Sequence, residues 1–267
     1  MRTIELNKIY NEDNISLIKR IPGDFIDLTV TSPPYDNLRD YKGYTFNFET
    51  LAKELYRVTK PGGVIVWIVA DATINGSETG TSFRQALHFM DVGFNLHDTM
   101  IWNKGTFTAV GSLRTRYAPV FEYMFVLTKG KIKTFNPLKD KKNLRVGKTV
   151  YGAIRQRDGS FKPMSNPGKP YGEFGQRYNV WNISNPGIAG TKHPATFPLQ
   201  LAKDHIISWS NKGDIVFDPF MGSGTTAIAA LDSERQFIGA EIAREYVDIA
   251  NQRIKNHTTQ TELFDYL

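Results

Sequence analysis

The sequence predicts an α/β fold, in which a mostly parallel sheet of about seven strands carries helices on both faces. Short β-rich runs alternate with segments of helical period along most of the chain, which is the pattern of such sheets. The length of 267 residues, 40% of them hydrophobic, is enough to bury a full core. Near the C-terminal end, a glycine-rich turn separates a predicted strand from a predicted helix. Together these observations predict a Rossmann-like domain with a smaller inserted module.

The predicted strands are short runs of apolar, β-branched and aromatic residues. They comprise residues 4–10, 26–31, 64–69, 95–102, 120–128, 215–217 and 237–241. Two segments between them show the i, i+4, i+7 spacing of an amphipathic helix. Their apolar residues are Leu51, Leu55 and Val58 in the first, and Val247, Ala250 and Ile254 in the second. The sequence KPGG at residues 60–63 should end the first helix and turn the chain into the next strand.

Several classes of protein are disfavoured by composition. No apolar run approaches the roughly 20 residues that a helix needs to cross a bilayer, and the N-terminal sequence MRTIELNKIYNEDN is too polar for a secretory signal. We therefore expect a cytoplasmic protein with no membrane segment. The sequence has no cysteine, which excludes disulfides, thiolate metal ligands and cysteine nucleophiles, and its five histidines show no metal-ligand spacing. We expect no metal site.

The positive charge is concentrated in one region. The formal net charge is +6, but residues 131–178 contain twelve Lys and Arg against three Asp and Glu, a local charge of +9 that leaves −3 elsewhere. From about residue 131 to residue 194 there is no sustained period, and aromatic residues are scattered among the basic ones. A structureless loop of that length is rare inside a compact domain, so this region is predicted to be a small separate module. Its composition suits nucleic acid, although a solvated lysine-rich loop would carry the same charge.

The sequence DIVFDPFMGSGTTAIAA at residues 214–230 predicts a strand, a tight glycine turn and a helix. Gly222, Gly224 and Ala227 match the G-x-G-x-x-G/A spacing, and Glu241 ends the next predicted strand 17 residues after Gly224. This arrangement is typical of nucleoside cofactors, whose ribose hydroxyls bind the acidic residue. No lysine occupies the position that a phosphate-binding loop requires, which disfavours a nucleoside triphosphate.

Asp218 lies just before this turn, at the carboxyl end of the predicted strand. A carboxylate there would repel the pyrophosphate of a dinucleotide and attract a cation. S-adenosylmethionine carries an ammonium group and a sulfonium beside an adenosine ribose. Asp218, the backbone room at Gly222 and Gly224, and Glu241 therefore favour this cofactor over NAD. An ordinary strand-to-helix turn is the alternative.

The sequence TSPPY at residues 31–35 directly follows another predicted strand. Proline fixes φ and holds the preceding residue in an extended conformation, so Ser-Pro-Pro forms a stiff loop whose carbonyls point in fixed directions. The amino group of a flipped nucleobase could donate hydrogen bonds to Ser32 Oγ and to the carbonyl of Ser32 or Pro33, while Tyr35 stacks on the ring. The nitrogen would then be a better nucleophile, because its developing positive charge faces acceptors.

Two considerations bear on this interpretation. Methylation at C5 of cytosine proceeds through a cysteine adduct, which this chain cannot form. A Pro-Pro pair alone is more often an ordinary loop with a surface tyrosine. However, both candidate loops follow predicted strands, and such loops share one edge of a parallel sheet, where ligands bind.

In this order the motifs resemble the permuted amino-group DNA methyltransferases, in which the catalytic loop precedes the cofactor loop. TSPPY resembles the catalytic motif, DPFMGSGTT the cofactor motif, and GAEIAREYVDIA the acidic strand and helix that follow. KHPATFPLQLAKDHI at residues 192–206 is similar to the segment that helps to close the methionine end of the pocket. NEDN resembles the place whose acid, here Asp13, contacts adenine, although Asp13 could equally be the N-cap of a helix. His193 could likewise be only a turn residue before proline.

The resemblance implies S-adenosylmethionine as cofactor and double-stranded DNA as substrate. It implies Ser32, Pro33, Pro34 and Tyr35 as catalytic residues. The cofactor-binding residues that it implies are Asp13, Thr31, Asp218, Pro219, Phe220, Gly222, Ser223, Gly224, Thr225, Thr226 and Glu241. It divides the chain into a catalytic half at residues 1–130, a target-recognition module at 131–190 and a cofactor-binding half at 191–267.

Ser-Pro-Pro-Tyr resembles the members that methylate cytosine N4, whereas members acting on adenine N6 more often carry Asp or Asn before the prolines. We therefore expect cytosine N4, with adenine N6 as the alternative, and a role in restriction-modification beside a separate cognate endonuclease. Methyltransferases of RNA or of protein amides usually carry an Asn-Pro-Pro loop after the glycine loop, the opposite order. An NAD-dependent oxidoreductase and a catalytically silent DNA-binding module are further alternatives.

Overall fold

The computed structural model describes residues 3–34, 47–106, 113–149, 151–164, 168–184 and 197–265. The chain divides into a larger unit, Met1–Asn136 with Asn179–Leu267, and a smaller unit, Pro137–Tyr178. The helices are α1 (Asn14–Ile18), α2 (Phe48–Val58), α3 (Thr81–Val92), α4 (Leu199–Trp209), α5 (Thr225–Asp232) and α6 (Arg244–Asp265). The strands are β1 (Lys8–Tyr10), β2 (Ile26–Thr31), β3 (Thr59–Val69), β4 (Thr73–Ile74), β5 (Ser77–Glu78), β6 (Asn95–Asn103), β7 (Phe121–Thr128), β8 (Lys141–Lys142), β9 (Ala153–Arg155), β10 (Phe161–Pro163), β11 (Phe174–Gly175), β12 (Val180–Asn182), β13 (Ile215–Asp218) and β14 (Gln236–Ala240).

The larger unit is built on an eight-stranded sheet in the order β1-β14-β13-β2-β3-β7-β6-β12. All neighbouring strands run parallel except the pairs that β7 makes with β3 and β6. The predicted α/β class with a mostly parallel sheet is therefore confirmed. The sequence did not predict β12, because three residues with the exposure pattern exposed, buried, exposed are too short to show a period.

Both faces of the sheet are buried, as the sequence predicts. Successive side chains of a strand point to opposite faces, yet every residue from Val64 to Val69 in β3 is buried. On one face, Ile65 and Trp67 join a core cluster that includes Leu51 and Leu55 of α2. The residues between them on β3 need an equal cover on the other face, which is the pattern of a parallel sheet between two layers of helices.

The KPGG sequence behaves differently from the prediction. Helix α2 does end before it, at Val58, but residues 60–63 lie within β3 and do not form a separate turn. They bulge out of the ladder, because Ile26 pairs with Thr59 while Leu28 pairs with Val64. Glycine is required there, since a Cβ on Gly63 would lie 2.9 Å from the Asp27 carbonyl oxygen.

The smaller unit contains two antiparallel strand pairs, β9 with β10 and β8 with β11. Within it, the Arg177 guanidinium binds the Asp140 carboxylate, and this contact lowers the pKa of Asp140. Lys141 Nζ lies 4.4 Å from the centre of the Tyr178 ring. The unit is shorter than the module expected at residues 131–190, because β12 pairs with β6 in the large sheet.

In the ranges given above, no helix combines the length and the apolar character of a membrane span.

Candidate active site

The two motif-bearing strands are neighbours in the sheet. β2 and β13 pair in parallel, with Leu28 opposite Val216 and Thr29 opposite Phe217. Parallel neighbours end at the same edge, so Thr31 at the end of β2 lies beside Asp218 at the end of β13. The structure thus brings the Ser-Pro-Pro loop and the glycine turn to one edge of the sheet, although the two segments are far apart in the chain.

Asp218 joins three separate segments at this edge. Its side chain is 1% exposed. Its Oδ1 accepts hydrogen bonds from Thr31 Oγ1 at 2.6 Å and from the Phe220 backbone N–H at 3.0 Å, and its Oδ2 accepts one from Thr226 Oγ1 at 2.6 Å. Burial raises the pKa of Asp218, while these three hydrogen bonds favour the carboxylate and oppose that rise.

Glu241 follows β14 and supports the glycine turn from the other side. Its Oε2 accepts the backbone N–H of Gly222 at 2.9 Å, and its Oε1 accepts that of Ala243 at 2.8 Å. Each carboxylate oxygen has a second lone pair, so both can still accept a hydroxyl group. Burial raises the pKa of Glu241, and the nearby charge of Asp218 adds to that rise.

The two carboxylates have no cationic partner in the described part of the chain. None of its ion pairs includes Asp218 or Glu241. Two partly desolvated acids side by side produce a negative potential that a cationic ligand would relieve. The donor set therefore fits a cofactor that combines a positive charge with a ribose, as the sequence predicts for S-adenosylmethionine.

The glycine turn is shaped by its own backbone and by α6. Gly222 and Gly224 have φ values of +53° and +84°, which glycine adopts without strain. A Cβ on Gly224 would lie 2.9 Å from the Cβ of Ala250, so only glycine allows α6 to approach the turn so closely. The guanidinium of Arg253 donates to the Ser223 carbonyl and, at 2.9 Å, to Ser223 Oγ.

The remaining residues of the motif are largely buried. Pro219 is buried, and Phe220 packs against the core with its ring 6.5 Å from that of Trp67. Ser223 is 3% exposed and Thr225, which begins α5, is 4% exposed. A cofactor at this turn would therefore meet mainly backbone groups, while these side chains fix the shape of the turn.

The neighbouring end of β1 supplies one residue that sequence reasoning missed. Asn11 Nδ2 donates to the carbonyls of Glu241 at 3.0 Å and Ile242 at 2.9 Å, which fixes the backbone that carries the Glu241 carboxylate. A single asparagine after a three-residue strand gives no sequence signal for this contact. Asp13 is the N-cap of α1, since its Oδ1 accepts the N–H groups of Ile15 and Ser16 at 3.0 and 3.1 Å.

The Ser-Pro-Pro loop is described as far as Pro34. Ser32 and Pro34 are partly buried and Pro33 is buried. Tyr35 and His193 lie outside the described residues, whereas the later part of the 192–206 segment forms the buried helix α4. Within the described ranges, no group of three or more His, Asp or Glu side chains is close enough together to hold a metal ion.

Comparison with known sequences gives two matches of note. The profile of the N6_N4_Mtase family, described as DNA methylase, matches residues 26–252. The orphan methyltransferase M.BamHII of Bacillus amyloliquefaciens is 56% identical over 240 residues, which cover 87% of this chain and 89% of that protein.

Two solved structures share the fold. The PvuII DNA methyltransferase, which is cytosine-N4-specific, superposes with a TM-score of 0.68 at 22% identity, covering 95% of this chain and 91% of that one. A DNA modification methylase of Thermus thermophilus, in complex with S-adenosyl-L-methionine, superposes with a TM-score of 0.63 at 22% identity, covering 93% of this chain and 95% of that one.

Proposed function

Because this chain belongs to the N6_N4_Mtase family of DNA methylases, it methylates amino groups of DNA bases, and we propose that its target is cytosine N4 with S-adenosylmethionine as the methyl donor. One observation carries this proposal. The Ser-Pro-Pro loop and the glycine turn follow adjacent parallel strands, joined at their ends by the hydrogen bond from Thr31 to Asp218. An amine held by the loop and a methyl group held over the turn would meet at this edge.

The residues around the glycine turn are suited to the cofactor. Glu241 would accept the ribose hydroxyls, since both of its oxygens keep a lone pair. The combined charge of Glu241 and Asp218 would favour the ammonium and sulfonium groups. Asp13 would contact the adenine. When bound, the cofactor supplies an electrophilic methyl group on its sulfonium.

The Ser-Pro-Pro-Tyr loop would hold the base. Ser32 Oγ and the carbonyls of Ser32 and Pro33 accept hydrogen bonds from the amino group and so orient its lone pair towards the methyl group. Tyr35 stacks on the flipped ring. In the transfer the nitrogen–carbon bond forms as the carbon–sulfur bond breaks, and the proton that the nitrogen then loses leaves through these acceptors to solvent.

The choice of cytosine N4 rests on Ser32. The serine before the prolines resembles the N4-cytosine members of the family, and the absence of cysteine excludes the covalent route to C5. Adenine N6 is the alternative, and it would use the same acceptors.

We also propose that the smaller unit, Pro137–Tyr178, recognises the target sequence. It contains ten Lys and Arg against three Asp and Glu, a net charge of +7. Its strands β9 and β10 are exposed along their whole length, as are Arg155 and Lys162 within them. Any cognate restriction endonuclease would be a separate protein.

The proposal is tested by product analysis. DNA incubated with the protein and methyl-labelled S-adenosylmethionine is digested to nucleosides, which are separated and identified by mass. We expect label in N4-methylcytosine. Label only in N6-methyladenine would refute the assigned base, and DNA without label would refute the function itself.

The catalytic loop has its own test. Pro33→Ala and Tyr35→Ala should lower kcat by about 10-fold or more while the Kd for S-adenosylmethionine stays within about threefold, because they act on the base and not on the cofactor. Tyr35→Phe is the matched control, since it keeps the stacking ring. Full turnover in both alanine variants would contradict the site.

A further inference from the structure

Three buried side chains connect the two halves of the proposed site. Thr31, Asp218 and Thr226 are 0%, 1% and 1% exposed. They belong to the end of β2, the end of β13 and the first turn of α5. The two hydroxyls donate to different oxygens of the same carboxylate, each at 2.6 Å.

This geometry fixes positions strongly. Short hydrogen bonds to a carboxylate are about twice as strong as those between neutral groups, and no water competes for them in a buried site. Asp218 Oδ1 also accepts the Phe220 N–H at 3.0 Å, so the backbone of the glycine turn is tied to the same atom as Thr31. The next residue after Thr31 is Ser32, the first residue of the catalytic loop.

We propose that Thr31, Asp218 and Thr226 form a positioning bridge, which sets the distance between the base-holding loop and the cofactor turn. This inference rests on the proposed function, and it gives these residues a different role from the direct cofactor contact implied by sequence resemblance. Their polar atoms are directed at one another and buried, so they act through Ser32 and the turn. They are positioning residues.

The chain supplies a matched control two residues earlier. Thr29 lies on the same strand and the same face of β2 as Thr31, because side chains alternate along a strand. It is also fully buried, but its Oγ1 has no hydrogen-bond partner among the described residues. Replacing the Thr29 hydroxyl by a methyl group therefore removes no bond to Asp218.

The experiment compares Thr31→Val, Thr31→Ser and Thr29→Val. Thr31→Val keeps the side-chain shape but loses the hydroxyl, and it should lower kcat at saturating cofactor by about 10- to 100-fold, because displacements of about 1 Å have effects of that size. Calorimetry should give a Kd for S-adenosylmethionine within about threefold of the unmodified protein. Thr31→Ser should restore kcat to within about threefold, and Thr29→Val should leave it unchanged.

A readout without cofactor accompanies these rates. Thermal unfolding of the free protein should occur at a lower temperature in Thr31→Val than in Thr29→Val, because only the first deprives buried Asp218 of a donor. If Thr31→Val does not fold, Thr226→Val tests the same bridge from its other end, with the same expected loss confined to kcat.

Each outcome decides the matter. Wild-type kcat in the folded Thr31→Val or Thr226→Val protein would overturn the bridge. A loss that appears only as weaker cofactor binding would also overturn it and would assign direct cofactor contact to the residue. The proposed function fails separately, if the unmodified protein transfers no methyl group to DNA.

Discussion

At the scale of the residue, Glu241 combines two tasks on one carboxylate. Its oxygens hold the backbone of Gly222 and Ala243, and their remaining lone pairs face the proposed ribose site. Burial and the charge of Asp218 both raise the pKa of Glu241. The state that binds a cationic cofactor is therefore the state that the free protein disfavours.

This conflict predicts a pH dependence. Lowering the pH from about 8 to about 5.5 should weaken S-adenosylmethionine binding, because protons compete with the cofactor for the carboxylates as pH falls through their raised pKa values. Calorimetric titration over this range measures the effect. Glu241→Gln should bind more weakly at neutral pH and show a shallower dependence, whereas an unchanged pH profile would refute the role of Glu241.

The same sign applies to the stability of the free protein. Between the unfolded and the raised folded pKa of Glu241, the folded state binds more protons than the unfolded state, so its stability falls as pH rises through that window. Glu241→Gln should remove this contribution. Thermal unfolding without cofactor at a series of pH values would reveal it, and equal slopes for both proteins would contradict it.

Gly224 shows a second constraint at this scale. Gly224→Ala should weaken cofactor binding by about 10-fold and destabilise the fold by about 1–3 kcal/mol, because a side chain strains both its φ of +84° and its contact with Ala250. Calorimetry and thermal unfolding measure the two effects. Gly213→Ala is the control, since Gly213 has a similar φ of +82° but open space around its Cβ position. Equal losses in both variants would show that φ alone matters.

At the scale of the element, α6 acts as a support for the glycine turn. Ala250 lies against Gly224, and Arg253, one turn later, donates to Ser223. The C-terminal helix thus reaches the site through its packing, without contributing a motif residue.

We therefore expect Arg253→Met to weaken S-adenosylmethionine binding by about 10-fold, in line with the loss of hydrogen bonds from a charged donor. Arg253→Lys should recover part of the affinity. Lys255→Met, an exposed residue of the same helix, is the control for loss of charge. Binding at full strength in Arg253→Met, measured by calorimetry, would show that α6 does not determine the shape of the turn.

At the scale of the whole molecule, charge and chemistry lie in different units. The smaller unit has a net charge of +7, while the proposed catalytic and cofactor residues all belong to the larger one. DNA affinity and cofactor affinity should therefore be separable by mutation.

Replacing Arg155, Arg157 and Lys162 together by alanine should weaken DNA binding and flatten its salt dependence by about 0.9 log units per lost phosphate contact. The Kd for S-adenosylmethionine should stay unchanged. Fluorescence anisotropy with labelled duplex DNA at several salt concentrations measures the slope. The control replaces three exposed lysines of the larger unit, Lys19, Lys53 and Lys212. An equal loss in both triple variants would refute a specific role for the smaller unit.

The sequence by itself determined the local structure and the motif order. Each of the seven predicted strands has a counterpart in the sheet, because alternation and apolar runs are properties of neighbouring residues. The strand–turn–helix at Gly222 and Gly224 was predictable for the same reason. The bulge at residues 60–63 was not, since it depends on how β3 packs against β2.

Only the tertiary structure decided which residues meet. Thr31 and Asp218 are 187 residues apart, and Asn11 and Glu241 are 230 apart. Strand order and side-chain partners are set by packing between distant segments, which leaves no periodic signal in the chain. The sequence could therefore supply the two loops of the proposed site, but only the fold could join them through Asp218.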